Sequence, residues 1–289
     1  MKFNYLIIIS LFFLGCKPEV DLIVYNGNIY TVDHDFNVAK AIAIKDGLFY
    51  EIGTDEIQKK YNSKETINLN GATVLPGLID AHCHFYGLGL NQQVIDLVGT
   101  LSFKEVISKL KLNSNINSTI IKGRGWDQND WDIKEFPTKS KLDLLYPNIP
   151  VVLERIDGHA YLVNQKALDL AKITVDTKSS SGTIEKKNGK LTGLLIDGPM
   201  ELIDNILPEL SLNEKKQALL NAEKICFKNG LTTVDDAGLS KEIILLIDSI
   251  QKKKELKIRI YAMISNSKNN LDYFLQNGPI KTPRLNVSS

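Results

Sequence analysis

Apolar positions change their spacing along this chain, and the spacing predicts the elements. Between Asp21 and Asn70 the apolar runs are short and rich in β-branched and aromatic residues: Leu22-Ile23-Val24-Tyr25, Ile29-Tyr30-Thr31-Val32, Ala41-Ile42-Ala43-Ile44 and Leu48-Phe49-Tyr50-Glu51-Ile52. Asn26-Gly27 and Asp46-Gly47 punctuate them. Asn-Gly or Asp-Gly between such runs is a strong hairpin signal, because both residues of the tight turn take positive φ. A small antiparallel sheet is expected, with Glu65 to Leu69 as one more strand before the turn at Asn70-Gly71.

The next apolar run, Leu75-Pro76-Gly77-Leu78-Ile79-Asp80-Ala81, ends in His82-Cys83-His84. Pro76-Gly77 sets a turn, and the nearly continuous apolar character after it predicts a strand buried on both faces of a parallel sheet. Side chains alternate along a strand, so His82 and His84 share one face, about 6.6 to 7 Å apart along the chain, and Cys83 points to the other. Two imidazoles at the C-terminal end of such a strand are a candidate metal-binding pair, at the place where parallel α/β enzymes keep their chemistry. A bare His-x-His also occurs on ordinary surfaces, so its flanks carry the weight.

Beyond it, Phe85-Tyr86-Gly87-Leu88-Gly89-Leu90 reads as a glycine-rich loop, and Ser102-Phe103-Lys104-Glu105 as a capping box opening a helix with Phe103, Val106, Ile107 and Leu110 on one face. A strand over Thr119 to Gly123 leads into a predicted loop, Arg124 to Trp131, that holds both tryptophans. Another strand, Val151 to Ile156, runs into Asp157-Gly158-His159-Ala160; Asn164 caps a helix through Leu170, and a hairpin turns at Asn188-Gly189. Helices and strands alternate irregularly here, which predicts an inserted α+β segment over 91–208 able to fold over a site.

From Ser211 the pattern becomes regular. Ser211-Leu212-Asn213-Glu214 is a second capping box, and the helix it opens places Ala218, Leu219, Ala222, Ile225 and Cys226 on one face and stops at Asn229-Gly230. A strand over Leu231 to Asp236, a helix capped by Ser240 with Ile243, Ile247 and Ile250 on one face, a strand over Ile258 to Met263 and a helix over Leu271 to Gln276 follow. Such alternation means a parallel sheet. No G-x-G-x-x-G, Walker or G-x-S-x-G pattern occurs, which disfavours a dinucleotide domain and favours a barrel over an open sheet.

Composition narrows the partners. A formal net charge of +1 with no long block of one sign gives nucleic acid no footprint, so small molecules are the expected ligands. Three cysteines are too few for a disulfide framework. Cys226 and Cys83 read as buried small hydrophobes, and His34, between Asp33 and Asp35, as part of an exposed turn. Residues 1–16 differ from the rest: Lys2, an apolar run from Tyr5 to Leu14, then Gly15-Cys16. The run falls short of the roughly 20 residues that span a bilayer and has the form of an export signal. Its ending resembles a bacterial lipobox, which makes Cys16 the candidate lipidation site of an exported protein anchored to the cell envelope; a plain signal peptide and a soluble exported protein is the alternative.

Pro76-Gly77-Leu78-Ile79-Asp80-Ala81-His82-Cys83-His84 after a short β-domain resembles the amidohydrolase superfamily. Gly123 to Gln128, Asp157-Gly158-His159-Ala160 and Gly230 to Gly238 are similar to its YtcJ-like, amidohydrolase 3 branch. The resemblance implies a distorted (β/α)8 TIM-type barrel, joined to a β-sandwich portion, with a divalent metal, usually zinc, at the barrel mouth. His82 and His84 match the family's first pair of metal ligands. Trp126, Asp127 and Trp131 match a pocket-lining block, Asp157 and His159 a motif near the substrate, and Asp236 a strand-end aspartate, while Asp235 stands where a histidine is common.

On this reading residues 1–16 are the signal, 20–73 the β-sandwich portion, 74–90 the first barrel strand and loop, 91–208 the insertion and 209–289 further β/α units. The family's later lysine, two further histidines and metal-binding aspartate have no counterpart here, and a (β/α)8 barrel takes roughly 250 residues. The expectation is therefore an incomplete version of a metal-dependent hydrolase of amide- or formamide-type C–N bonds, with its general base elsewhere. The alternative is a non-catalytic remnant or binding lipoprotein.

Overall fold

The computed structural model describes residues 17–114 and 118–288; the predicted export signal and the candidate lipidation site Cys16 lie outside them. The chain divides into two compact units, Met1–Gly77 and Leu78–Ser289.

The first unit carries β1 (Glu19–Tyr25), β2 (Asn28–Tyr30), β3 (Val38–Ala39), β4 (Ala41–Lys45), β5 (Leu48–Gly53), α1 (Ile57–Lys60), β6 (Asn62–Asn68) and β7 (Thr73–Val74). Asp46 and Gly47 take φ of 54° and 75° and close the predicted hairpin between β4 and β5. The expected single antiparallel sheet is corrected at Asn26-Gly27. There the chain passes from one small sheet, ordered β5-β4-β1-β6, into another, ordered β3-β2-β7, and both contain a parallel pair, β1 with β6 and β2 with β7. The backbone of residues 69–72 lies against this crossing: Gly71 N donates to Asn26 O and Asn28 N to Ala72 O, and a Cβ on Gly27 would meet Leu69 Cδ1 at 2.2 Å. Val20, Ile23, Ala41, Ala43 and Ile57 form the core.

The second unit is built on two sheets. In the first, β8 (Leu78–Cys83), β15 (Leu231–Leu239), β16 (Arg259–Ile264) and β17 (Leu285–Ser288) run parallel in the order β17-β16-β15-β8. The connections are α7 (Leu212–Lys228), α8 (Lys241–Lys252) and α9 (Lys268–Asn277). Both halves of the Ser211–Glu214 capping box are made, and Ser240 and Ser267 cap the next two helices. Helix residues Leu219, Ala222, Cys226, Ile243, Ile244 and Ile247 pack with strand residues Val234, Ile260, Ala262, Leu285 and Val287 in one core. Each fully buried Ile or Leu there contributes about 1.5–3 kcal/mol of transfer free energy.

The other sheet uses β9 (Ile95–Asp96), β10 (Ile121–Trp126), β11 (Val151–Arg155), β12 (Ala160–Val163), β13 (Thr183–Lys187) and β14 (Lys190–Ile196) in the order β13-β14-β12-β11-β10-β9. Strands β9, β10 and β11 run parallel, and β12, β14 and β13 continue antiparallel. Helices α3 (Phe103–Asn113), α4 (Ser140–Leu145), α5 (Gln165–Leu170) and α6 (Met200–Asp204) accompany it. The segment expected to be irregular is thus one continuous mixed sheet with a core of its own.

The α/β class and the parallel units stand as expected, but among the described residues no closed barrel is formed, and β8 is an edge strand. Its apolar run is accordingly open: Leu78 and Ile79 are 52% and 66% exposed, where a strand buried on both faces was expected. The predicted loop after His84 is a helix, α2 (Phe85–Asn91). Gly89 serves contact, for a Cβ there would lie 1.9 Å from the Ala218 carbonyl oxygen, so only glycine lets α2 lie backbone to backbone against α7. No helix among the described residues is long and apolar enough to cross a membrane.

Candidate active site

His82 closes the exposed side of β8 and His84 is the residue before α2. Their rings lie 5.8 Å apart, centre to centre, with planes at 77°. His84 Nδ1 sits 3.1 Å from the Ala237 carbonyl oxygen at the end of β15. A carbonyl can only accept, so Nδ1 carries the proton and the lone pair of the neutral ring is left on Nε2, the arrangement of a metal-ligating histidine held by an outer partner.

Asp236 sits beneath this pair, 2% exposed, and its Oδ2 accepts from Tyr86 N at 3.0 Å, capping α2 from the neighbouring strand. Burial pushes its carboxyl above the usual carboxylate range, against the pull of the amides of residues 85 and 86 and the His84 ring. Cys83 faces the core, and burial first, then Asp236 and Asp80, push its thiol up to about 12, so it stays protonated and is no nucleophile.

Two imidazoles, His84 with its Nε2 left free by the Nδ1 contact, fit half of a divalent-metal site; a tetrahedral site takes three protein ligands and a water, or four. Among the described residues no group of three or more His, Cys, Asp or Glu side chains could hold an ion.

His84 also lines a cavity of about 540 Å³ that runs between α2 and one face of the six-stranded sheet. The sheet wall is polar: Arg124, Glu154 and Tyr161 are register partners across β10, β11 and β12, and Lys122 is two residues before Arg124. Arg124 Nε lies 3.3 Å from Glu154 Oε1 and its Nη2 donates to Ile156 O at 2.8 Å. The Tyr161 hydroxyl donates to Asp204 Oδ1 at 2.9 Å, and burial followed by the Asp204 charge raises the phenol, keeping it a neutral donor. Sequence reasoning missed these four residues. The available signal was a pair of cations two apart in a strand whose intervening position is glycine, which puts both on one face.

The tryptophan block corrects another expectation. Trp126 and Trp131 are 1% and 4% exposed and pack in the core of the six-stranded sheet with Phe103, their own rings 6.0 Å apart, instead of lining a pocket. Trp126 Nε1 donates to Leu153 O at 2.9 Å. Trp126 ends the strand just past a break in register, where Gly125 takes φ of 110°, so it leaves the face of Lys122 and Arg124 and turns into the core. Asp127 caps the short turn that follows, accepting from Asn129 N at 2.9 Å.

Asp157 and His159 do come together, in the loop from β11 to β12. Arg155 forks onto Asp157 at 2.9 and 2.7 Å, Asp157 accepts from His159 N at 3.0 Å, and His159 Nδ1 lies 2.9 Å from Asp197 Oδ1. The Arg155 guanidinium holds the Asp157 carboxyl below its ordinary value against the penalty of burial, with the His159 amide adding to the lowering. Among the described residues no hydrogen bond or ion pair links this group to the pair on β8. His34 is exposed beside Asp35, as its turn predicts.

Parallel β/α units with a His-x-His at the end of the first strand define a hydrolase-type α/β scaffold, and a model of the Amidohydrolase family matches residues 65–282. The chain belongs to that family. It is 34% identical over 280 residues to Protein LONG AFTER FAR-RED 3 of Arabidopsis thaliana, covering 90% of this chain and 48% of that protein. It is 36% identical to the amidohydrolase YtcJ of Bacillus subtilis (strain 168) and 30% identical to the N-substituted formamide deformylase of Arthrobacter pascens, in each case over 75% of this chain and 42% of the relative. The fold is similar to that of an uncharacterized metal-dependent hydrolase from Pyrococcus horikoshii OT3, with a TM-score of 0.70 at 24% identity over 92% of this chain and 53% of that one. The chain spans about half the length of these relatives.

Proposed function

We propose that the protein acts in a metal-dependent hydrolase of small molecules with an amide- or formamide-type C–N bond, the class named for the Arthrobacter pascens relative. The observation that carries this is the His84–Ala237 contact, which presets one imidazole of an exposed pair for a metal. Zinc is the ion that an imidazole donor set suits, and when bound it would acidify a water and polarise the scissile carbonyl. His82 and His84 would hold it, Asp236 would fix the strand end on which they stand, and the cavity beside His84 would take the substrate.

Two imidazoles do not complete such a site. We therefore expect the 289-residue chain alone to retain little metal and to turn over little substrate, with the remaining ligands and the general base supplied in a protein of the relatives' full length. Metal analysis of both purified forms tests this. The expected outcome is a stoichiometric ion in the family-length protein, lost together with turnover in its His82→Ala variant; an ion and activity retained by that variant would overturn the assignment. A second reading, a non-catalytic binding lipoprotein, is favoured by the lack of a third ligand among the described residues. Stoichiometric, tightly held zinc in the 289-residue chain would count against it.

Export with a lipid on Cys16 is part of the proposal. It rests on the charged start and short apolar centre of residues 1–16 and on their Gly15-Cys16 ending. Cys16→Ser should abolish labelling by a radioactive fatty acid and release the protein from the membrane fraction, whereas unchanged labelling excludes this anchor.

A further inference from the structure

The end of the four-stranded sheet opposite His82 and His84 carries one sign of charge, in a chain whose formal net charge is only +1. The strands run parallel, so their first residues share this end. Lys228 ends α7 just before β15, Lys257 and Arg259 lead into β16, Arg284 immediately precedes β17, and Lys253 and Lys254 follow α8. All six are exposed, and among the described residues none forms an ion pair. The acids beside them are engaged otherwise: Asp248 pairs with Lys252, Glu255 with Lys216, and the buried Glu223 accepts from Ile258 N at 2.8 Å and from Lys257 N. Packing fixes the surface. Gln251 Nε2 donates to Ile258 O at 3.0 Å and to Arg284 O at 3.3 Å, and Arg284 Nη1 donates to Lys257 O, so the end of α8 and the starts of β16 and β17 hold together. Uncompensated charges of one sign on one surface sum to a potential that reaches about 10 Å into solvent at moderate salt. These cations are exposed and come from four chain segments, so their field is broad and matches an extended anionic surface better than a single ion. Phe227, 42% exposed on the last turn of α7, adds an aromatic ring of the kind that seats among lipid headgroups.

We infer that this end of the parallel sheet docks on a bilayer that contains anionic phospholipid, with the six cations over the headgroups and Phe227 at their boundary with the acyl chains. The choice of a bilayer as the occupant rests on the export-and-anchor reading of residues 1–16; the preference for negative charge belongs to the surface itself. One acyl anchor and one basic surface are the two signals that stable attachment to a membrane takes. The histidine pair stands at the opposite end of these strands, so docking leaves it open to solutes.

The test is co-sedimentation of the full chain carrying Cys16→Ser, so that no acyl chain contributes, with vesicles of phosphatidylcholine alone and with vesicles in which about a quarter of the lipid is phosphatidylglycerol. The apolar run of residues 1–16 meets both vesicles alike, so the difference between them reads charge. Partitioning onto the anionic vesicles should be at least about tenfold stronger and should fade as salt is raised. Lys253→Gln, Lys254→Gln and Lys257→Gln together should remove most of that preference, and arginine at the same three positions should keep it, with melting curves of both variants matched to the parent. Lys186→Gln, Lys187→Gln and Lys190→Gln together take the same charge from the β13–β14 hairpin and should lower the preference by less than about twofold. Equal partitioning onto the two vesicles, none onto either, a preference that survives the first triple variant, or one lost equally in the hairpin variant would each overturn the inference. Binding of single-stranded RNA without binding of anionic vesicles would overturn it too and make the partner a nucleic acid. Failure of the anchor reading has a separate signature: no fatty acid on Cys16 of the parent chain, while the vesicle preference of the Cys16→Ser chain persists.

Discussion

The two sheets of the second unit divide the work unequally. On the four-stranded side, the side chains that bear chemistry are the exposed ones: His82 and His84 stand at an open strand edge, His84 held by one backbone contact and followed by a helix that Asp236 caps. On the six-stranded side, the side chains that look most like a binding site, Trp126 and Trp131, are interior, and plain-looking strand residues, Lys122, Arg124 and Glu154, face the cavity. A motif's residues take their role from the side of the element they fall on, and large aromatics near a strand end are as useful to a core as to a pocket.

The sharpest way to break this contrast is Trp126→Ala. As a core residue it should destabilise the chain by about 3–5 kcal/mol in denaturant unfolding and lose the bond to Leu153 O. Weakened ligand binding at unchanged stability would return the tryptophan to the pocket. Next in size is Gly89→Ala on the histidine side, where the new Cβ meets the Ala218 backbone; about 2–3 kcal/mol should be lost, and the His84 ring should shift with α2 in NMR spectra. A chain of parental stability would mean that α2 and α7 do not touch as described.

Asp236→Ala should cost about 1–3 kcal/mol by leaving the Tyr86 amide without its acceptor, and Asp236→Asn, which keeps an acceptor oxygen, should recover most of it. Equal losses in the two variants would separate Asp236 from the cap. The smallest effect belongs to the Arg155–Asp157 pair, whose carboxylate is exposed. Because the folded pKa of Asp157 lies below its unfolded value, its contribution is present above about pH 4 and fades as the pH falls through the lowered folded value. With the Asp157 side chain 44% exposed, solvent screens the pair to about a few tenths of a kcal/mol. Asp157→Asn should therefore lower stability at neutral pH by about those few tenths, make no difference in strong acid, and so flatten the acid limb of the stability curve slightly; an unaltered acid limb would show the pair to be idle.

Much of the architecture was legible because local chemistry decides it. Ser211 and Glu214 form their capping box, Ser240 and Asn164 cap where the apolar period begins, and Asp46-Gly47 and Asn188-Gly189 turn their hairpins, since each of these is settled within a few residues. The spacing of His82 and His84 likewise follows from strand alternation alone. Gly89 misled, because a glycine needed for the close approach of two helices has the same letter as one needed for a loop.

What the sequence by itself determined, then, is the run of parallel β/α units, the paired imidazoles at the end of the first, and through its four motif blocks the family. Only the tertiary structure decided that β8 is an edge, that Asn26-Gly27 hands the chain between two sheets, that the tryptophans are core, and that Lys122 shares a cavity with His84. The physical reason is range: caps, turns and alternation are set by neighbours in sequence, whereas exposure, pairing and enclosure depend on elements such as α2, α7 and β15 that the chain brings back from more than a hundred residues away.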